Sequence, residues 1–336
     1  MTDVLYRPIV RSDQPRPEEA LPLAGGPLWF SEALCLARKG APERVAAADI
    51  PDPWRSRLSA ARAPVAGLAM DRPQIMGILN VTPDSFSDGG AHFDPDTARK
   101  MAGAMIEAGA SLIDIGGEST RPGAQEVPVA EEIARIMPVI EGLQQVSNAV
   151  ISVDTRKAAV AEKALAAGSH LINDVSGFTY DPDLGPLCAR ANVPVCVMHN
   201  QGNPEDMQDN PFYDSVLHDV FDVLEDRVQA LETMGIPRSR IVVDPGIGFG
   251  KTLDHNVTLL RDIAVFHGLG CAILLGVSRK GFIGKIGEEP RADARAPGSI
   301  AVGLAALGQG VQILRVHDVS QTAQAVRLWQ AVSAGS

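Results

Sequence analysis

The sequence predicts a (β/α)8 barrel, a closed parallel sheet wrapped in helices, preceded by an irregular proline-rich extension over residues 1–72. Three observations predict it. From residue 73 onward, short apolar runs alternate with amphipathic stretches, the pattern of a parallel sheet covered on both faces. Eight such units fill about 260 residues, which suits a barrel better than an open doubly wound sheet. Nearly every run ends in polar residues, and barrel enzymes build their sites at the C-terminal ends of their strands.

The apolar runs are QIMGILNV (74–81), SLIDIGG (111–117), VISVDT (150–155), LINDVSG (171–177), VPVCVMH (193–199), IVVDPG (241–246), AILLGV (272–277) and ILRVHD (313–318). Helical periodicity marks 98–108, 129–145, 157–167 and 213–234 between them. The polar ends are Asn80; Glu118, Ser119, Thr120 and Arg121; Asp154; Asn173; Met198 and His199; Asp244; Ser278, Arg279 and Lys280; and Arg315 and His317. One such end can be a helix cap, and Asp154 before Thr155 fits that reading, but eight in succession exceed what capping explains.

Residues 1–72 hold 9 of the 24 prolines, which forbid long helices and central strands there. With 10 basic and 9 acidic side chains the segment is near neutral, and the remainder, with 20 basic and 32 acidic, carries −12 against a net charge of −11. Leu28, Trp29, Phe30, Leu34 and Leu36 need an apolar surface, and the expectation is an arm packed partly on the barrel of residues 73–336.

Composition excludes several classes. Hydrophobic residues at 45% and charged residues at 21% describe an ordinary globular chain of 336 residues. The acidic balance speaks against a nucleic-acid surface. No apolar run reaches membrane-spanning length, and the N-terminus lacks a signal-peptide pattern, so the expectation is a cytoplasmic protein without a membrane partner. Cys35, Cys188, Cys196 and Cys271 form no CxxC, which indicates neither a disulfide framework nor a zinc site. An anionic substrate must be held by local cations against the global field.

The strand ends supply particular chemistry. The loop from Asn80 to Gly90 is long and rich in turn formers, carboxylates and hydroxyls. A second loop, Gly116-Gly-Glu-Ser-Thr-Arg-Pro-Gly, sets Arg121 among small residues, where it can bind an anion or stack on a ring. Asp154, Asn173 and Asp244 direct two carboxylates and an amide into one cavity, suited to a flat heterocycle with several N–H donors. Two acids also suit a glycosidase pair or metal ligands. In Asp244-Pro-Gly-Ile-Gly-Phe-Gly-Lys the spacing is not that of a phosphate loop, and Gly246, Gly248 and Gly250 let the backbone turn around Asp244. Lys280 in the mouth can donate hydrogen bonds or form a Schiff base. Arg315 and His317 share a strand face, a suitable oxyanion clamp near the end of the eighth strand.

In these motifs the chain resembles the dihydropteroate synthase family. Ile75-Met-Gly-Ile-Leu-Asn-Val-Thr-Pro-Asp-Ser-Phe-Ser-Asp-Gly-Gly reads as its first signature, and Gly109-Ala-Ser-Leu-Ile-Asp-Ile-Gly-Gly-Glu-Ser-Thr-Arg-Pro-Gly as its second. Ser152-Val-Asp-Thr, Ile172-Asn-Asp-Val-Ser-Gly, Asp244-Pro-Gly-Ile-Gly-Phe-Gly-Lys, Gly276-Val-Ser-Arg-Lys and Arg315-Val-His-Asp-Val follow in the family's order. The resemblance implies a transferase of folate biosynthesis that joins 6-hydroxymethyl-7,8-dihydropterin pyrophosphate to p-aminobenzoate and uses Mg²⁺. It implies a pterin pocket of Asp154, Asn173, Val175, Met198, Asp244, Gly276 and Lys280. Asn80, Arg315 and His317 would bind pyrophosphate, with Asn80 also beside Mg²⁺. Phe86, Thr120, Arg121, Phe249 and Ser278 would meet p-aminobenzoate. Asn80, Asp154, Lys280, Arg315 and His317 would carry the chemistry, and a homodimer using late helices is expected.

The long N-terminal extension departs from the family's pattern, as does Asn200, where methionine is more usual. A methyltetrahydrofolate-binding methyltransferase domain would share the barrel but would need neither the pyrophosphate clamp nor the Ser-Thr-Arg-Pro loop. A non-catalytic pterin-binding paralogue should have lost Asn80, Arg121, Lys280, Arg315 or His317, all of which are present. Without the resemblance, a Schiff-base aldolase acting through Lys280 is the remaining reading.

Overall fold

A computed structural model describes residues 2–82, 95–119, 125–146, 148–202 and 210–333. The N-terminal segment holds more regular structure than its prolines suggest. β1 (Val4–Pro8), β4 (Glu32–Ala37) and β5 (Glu43–Ala46) form an antiparallel sheet, while β2 (Leu21–Pro22) pairs with β3 (Trp29–Phe30). Most of the prolines fall between these strands or at their ends, where no ladder hydrogen bond is forfeited. A short helix, α1 (Trp54–Ser59), follows.

The barrel strands are β6 (Gln74–Asn80), β7 (Leu112–Gly116), β8 (Val150–Asp154), β9 (Leu171–Asp174), β10 (Val195–Met198), β11 (Ile241–Asp244), β12 (Ala272–Leu275) and β13 (Ile313–Val316). All eight are parallel, and β13 pairs with β6 to close the ring. The helices around it are α2 (Pro95–Ala108), α3 (Val129–Val146), α4 (Ala158–Ala166), α5 (Leu184–Ala191), α6 (Val216–Thr233), α7 (Leu253–Arg261), α8 (Gly281–Ile286), α9 (Ala296–Leu307) and α10 (Val319–Ser333). The strands are apolar on both faces because helices cover one side and the barrel interior the other.

The interior is layered. Met76, Leu112, Val150, Leu171, Cys196, Val242, Leu274 and Ile313 pack together toward the N-terminal ends of the strands. Val65 and Met70, from the end of the extension, belong to the same cluster, and a tight turn between Val65 and Leu68 presents them. This part of the extension therefore plugs the bottom of the barrel. Side chains two residues further along each strand face the same way. They include Asp114, Ser152, Asn173, Met198, Asp244 and Arg315, so the interior turns from apolar to polar within one layer.

The extension also grips the outside of the barrel. Arg38 pairs with Asp219 at 2.6 Å and Asp222 at 2.5 Å on α6. Arg62 donates to the carbonyls of His267 and Cys271 at 3.0 Å each and of Arg57 at 2.7 Å. Trp54 stacks on Phe221 with ring centroids 5.0 Å apart, and Tyr6 meets its edge at 5.5 Å. The indole lies over Gly268, where an added Cβ would fall 2.0 Å from Trp54 Cζ3. Among the described residues, no helix is long and apolar enough to cross a membrane.

Trp54→Ala is expected to remove about 3 kcal/mol of stability, measured by urea unfolding, because it empties this packed site. Removing residues 1–60 should cost more stability still. In both cases turnover per folded molecule, counted by active-site titration, should stay within about twofold, since the packing lies far from the polar layer.

Candidate active site

The polar layer is organised by one guanidinium. Arg315 on β13 donates from Nε to Asp114 Oδ2 at 2.6 Å and from Nη2 to Asp154 Oδ2 at 2.9 Å. Asp114 on β7 is completely buried and also accepts from Ser152 Oγ at 2.5 Å and from Asn173 Nδ2 at 3.1 Å. Strand pairing aligns Asn80, Gly116, Asp154 and Asn173 in one row across β6–β9. Gly116 leaves room in that row: an added Cβ would lie 3.7 Å from Asn80 Oδ1 and 3.8 Å from Asp154 Oδ2.

Burial pushes the Asp154 carboxyl up to about 8, reinforced by Asp114 and opposed by Arg315. The same carboxylates hold the Arg315 guanidinium above its ordinary value although burial opposes them. Asp154 caps no helix, because Lys157 is the N-cap residue of α4 and caps without its side chain. The carboxyl points instead into the interior, toward Arg315.

Asp244 lies at the end of β11. Its Oδ1 accepts from the Gly246 amide at 2.7 Å, and an added Cβ at Gly276 would approach its Oδ2 to 3.7 Å. Burial raises the Asp244 carboxyl, while Gly246, Lys280 and Arg315 draw it back. Gly246, Gly248 and Gly250 all have positive φ, and a Cβ on Gly246 would strike the His199 carbonyl. The glycines thus let the loop fold tightly over β10 and β11. Lys280 Nζ donates to the Ile247 carbonyl at 2.5 Å and sits 4.0 Å from the centre of the Phe249 ring. Burial lowers its ammonium to about 8, against the pull of Asp244.

Ser278 and His317 meet above β12 and β13. Ser278 Oγ accepts from the His317 amide at 3.1 Å and lies 3.0 Å from His317 Nδ1. The predicted oxyanion pair therefore divides into two settings, with Arg315 among carboxylates and His317 beside a hydroxyl. Met198 is buried at the end of β10, and Val175 is half-buried just beyond β9. Phe86, Thr120 and Arg121 lie outside the described residues.

Sequence reasoning missed Asp114, although SLIDIGG carries a signal for it. A carboxylate inside a strand buried on both faces needs a cationic partner. It also missed Lys251, whose Nζ donates to the carbonyls of Gly246 and Phe249 at 2.9 Å each and lies 2.8 Å from His199 Nδ1. Lys251 pins the glycine loop from beneath, but its local sequence looks only like a loop end.

Among the described residues no cluster of three or more His, Cys, Asp or Glu could cage a metal ion. The Asn80 amide oxygen and the Asp154 carboxylate flank Gly116 as hard oxygen donors, a set that suits Mg²⁺ when a substrate supplies further oxygens.

A family profile described as pterin binding enzyme matches residues 76–317. The dihydropteroate synthase of Escherichia coli (strain K12) is 45% identical over 264 residues, covering 79% of this chain and 93% of that one. The solved structure of Xanthomonas albilineans dihydropteroate synthase with 4-aminobenzoic acid is similar with a TM-score of 0.77 and 45% identity, covering 82% of this chain and 99% of that one. The structure of that enzyme in complex with 7,8-dihydropteroate gives a TM-score of 0.73 and 42% identity, covering 80% and 97%.

Asp114→Asn would leave Arg315 facing one carboxylate fewer in a buried setting. It is expected to cost about 3 kcal/mol in chemical unfolding, and a loss below about 1 kcal/mol would show that the fork does not depend on Asp114.

Proposed function

On the premise that the chain belongs to the pterin-binding enzyme family and is a dihydropteroate synthase, we propose the part each residue of its site plays. The reaction joins 6-hydroxymethyl-7,8-dihydropterin pyrophosphate to p-aminobenzoate, giving 7,8-dihydropteroate and pyrophosphate. The observation that carries the assignment is the gathering of Asp154, Asn173, Asp244 and Lys280 at the barrel mouth around Arg315.

Asp154 and Asp244 accept hydrogen bonds from the N–H edge of the pterin, Asn173 supplies an amide, and Lys280 donates to ring oxygen or nitrogen. Val175 and Met198 lie against the ring face, and Gly276 leaves room for its edge. Asn80, Arg315 and His317 meet the pyrophosphate, Arg315 doing so while it stays paired with Asp114 and Asp154. Phe249 and Ser278, with Phe86, Thr120 and Arg121, receive p-aminobenzoate.

Bond breaking leaves positive charge on the exocyclic carbon, which the electron-rich dihydropterin ring spreads toward the carboxylates. The arylamine nitrogen then attacks that carbon, with water excluded from the closed site. No covalent enzyme intermediate is needed, so Lys280 acts as a hydrogen-bonding cation. Asn80 would help hold Mg²⁺, which would supply neutralising charge to the departing pyrophosphate.

A reducing cytoplasm suits the unpaired cysteines. A homodimer suits α9, which carries no charged residue and exposes Pro297, Ala301 and Ala305 along one face.

Pyrophosphate release from the dihydropterin substrate, followed with Mg²⁺ in the presence and absence of p-aminobenzoate, tests the function directly. Release matched by dihydropteroate formation is expected; release without product would refute the amine site. Chelating Mg²⁺ should stop turnover, and Asn80→Ala should raise the Mg²⁺ concentration needed for half-maximal rate. Arg315→Lys keeps a charge but loses the planar fork whose spaced donors reach Asp114 and Asp154 separately. It should raise KM for the pyrophosphate substrate about tenfold, with little change for p-aminobenzoate.

Pterin affinity should also peak near pH 8. Below that, Asp154 gains a proton and loses its strong anionic acceptor; above it, Lys280 loses its charge. Calorimetry across pH 6–10 (roughly two units to either side of the peak) checks this, and Lys280→Arg should carry the alkaline limb upward.

A further inference from the structure

Two lysines grip the glycine loop between β11 and α7, and the roles above use only one of them. Lys280 rests on the loop. Its Nζ donates to the Ile247 carbonyl at 2.5 Å and stands 4.0 Å from the centre of the Phe249 ring. Its stem runs along Gly248, where an added Cβ would fall 2.9 Å from Lys280 Cδ. Residues 247–249 are therefore the bed of Lys280.

Lys251 holds that bed. It is only 3% exposed, and its Nζ donates to the carbonyls of Gly246 and Phe249 at 2.9 Å each. The third position of the nitrogen meets His199 Nδ1 at 2.8 Å. With all three positions filled, the nitrogen has none to offer a substrate. His199 is equally buried, and burial holds its imidazole well below the ordinary value.

The loop needs such a hold. Gly246, Gly248 and Gly250 all have positive φ, and so many glycines leave a free backbone many shapes to choose from. The Phe249 amide closes a turn on the Gly246 carbonyl at 3.1 Å. The Gly248 amide donates to Asn256 Oδ1 at 2.7 Å, and the Tyr213 hydroxyl donates to the Gly250 carbonyl at 2.8 Å. Lys251 joins the carbonyls at both ends of the turn through a single nitrogen.

Stability alone is a poor reason to place an amine here. An apolar side chain would avoid the cost of burying a cation whose partners are carbonyls and a ring. Burial lowers the Lys251 ammonium well below its ordinary value, and Lys280 adds to this against the pull of Asp244. What the amine offers beyond apolar packing is direction, because each hydrogen bond fixes its partner in angle as well as distance.

We propose that Lys251 is a positioning residue that holds the β11–α7 loop in the shape that beds Lys280, and so sets the affinity for the pterin substrate without touching it. The proposal rests on the reading that Lys280 donates to the pterin ring.

Calorimetry of pterin binding across pH, on the full chain, tests it. Lys280 faces Asp244 and Arg315, with Lys251 across the loop, and burial lowers its ammonium to about 8. Lys251→Met should raise the pterin Kd about tenfold or more. It should also move the alkaline limb upward by about one unit, because Lys280 out of its bed regains water. A weaker Kd with the limb unmoved, or lost stability with Kd unchanged, would overturn the proposal. Lys251→Arg keeps the charge but carries its donors at a different reach, so it should not restore Kd or the limb. Full rescue would show that charge alone acts, and would also overturn it. If neither variant folds, His199→Phe, which removes one of the three partners, should move Kd and the limb in the same directions, and no shift would overturn the proposal. Lys280→Arg is the control. If it leaves the limb in place, the reading of Lys280 fails first and the proposal falls with it.

Discussion

The fork that Arg315 makes with Asp114 and Asp154 is the interaction on which the rest of the site depends. Three carboxylates, Asp114, Asp154 and Asp244, are buried in the upper barrel interior, where charge is costly to bury without a cation to pair with it. Arg315 reaches the first two from β13, so the strand that closes the barrel also neutralises its interior. Asn173 and Ser152 then find Asp114 as an acceptor, and the row across β7, β8 and β9 is held by its own hydrogen bonds. Asp154, pushed up to about 8 by burial, stands at the mouth, where a ligand with N–H donors can complete its solvation.

The two ends of the barrel divide the work. At the N-terminal ends of the strands the interior is mostly apolar, with the buried Gln74 amide donating to the Ala69 carbonyl, and is sealed by Val65 and Met70. One layer higher it becomes polar, and above that stand the loops. This matches the general behaviour of barrels, in which residues at the bottom serve stability and residues at the top serve chemistry. The glycine loop after β11 shows how closely the top is fitted: Lys251 holds it from below, and Lys280 and Phe249 close over it.

Much of this was legible in the sequence. The alternation of apolar runs and helical periods depends only on which faces are buried, so strand count and order could be read directly. Asp154, Asn173, Asp244, Lys280, Arg315 and His317 could be found because each ends an apolar run. The pairing among them could not, because it depends on stagger around the closed sheet. That stagger brings Arg315 onto Asp114, a residue read as part of a strand. The ordered sheets of the extension escaped notice because their strands are short and separated by prolines, and they are held by a small core of their own (Leu23, Leu28, Phe30, Ala33, Ile50 and Leu58) as well as by contacts to α6. Lys251 was invisible because its partners are backbone carbonyls of its own loop and the His199 ring, which no residue pattern marks.

The absent side chain at Gly268 has a consequence for descent. The barrel has left a slot there that the Trp54 ring fills, so the extension has left an imprint on the domain beneath it. A barrel of this lineage that lost its extension would be released from keeping glycine at this point, and one that gained a side chain there would have to displace the indole. The extension and barrel are thus heritable as a matched pair, and grafting the extension onto another barrel requires transferring this vacancy along with it.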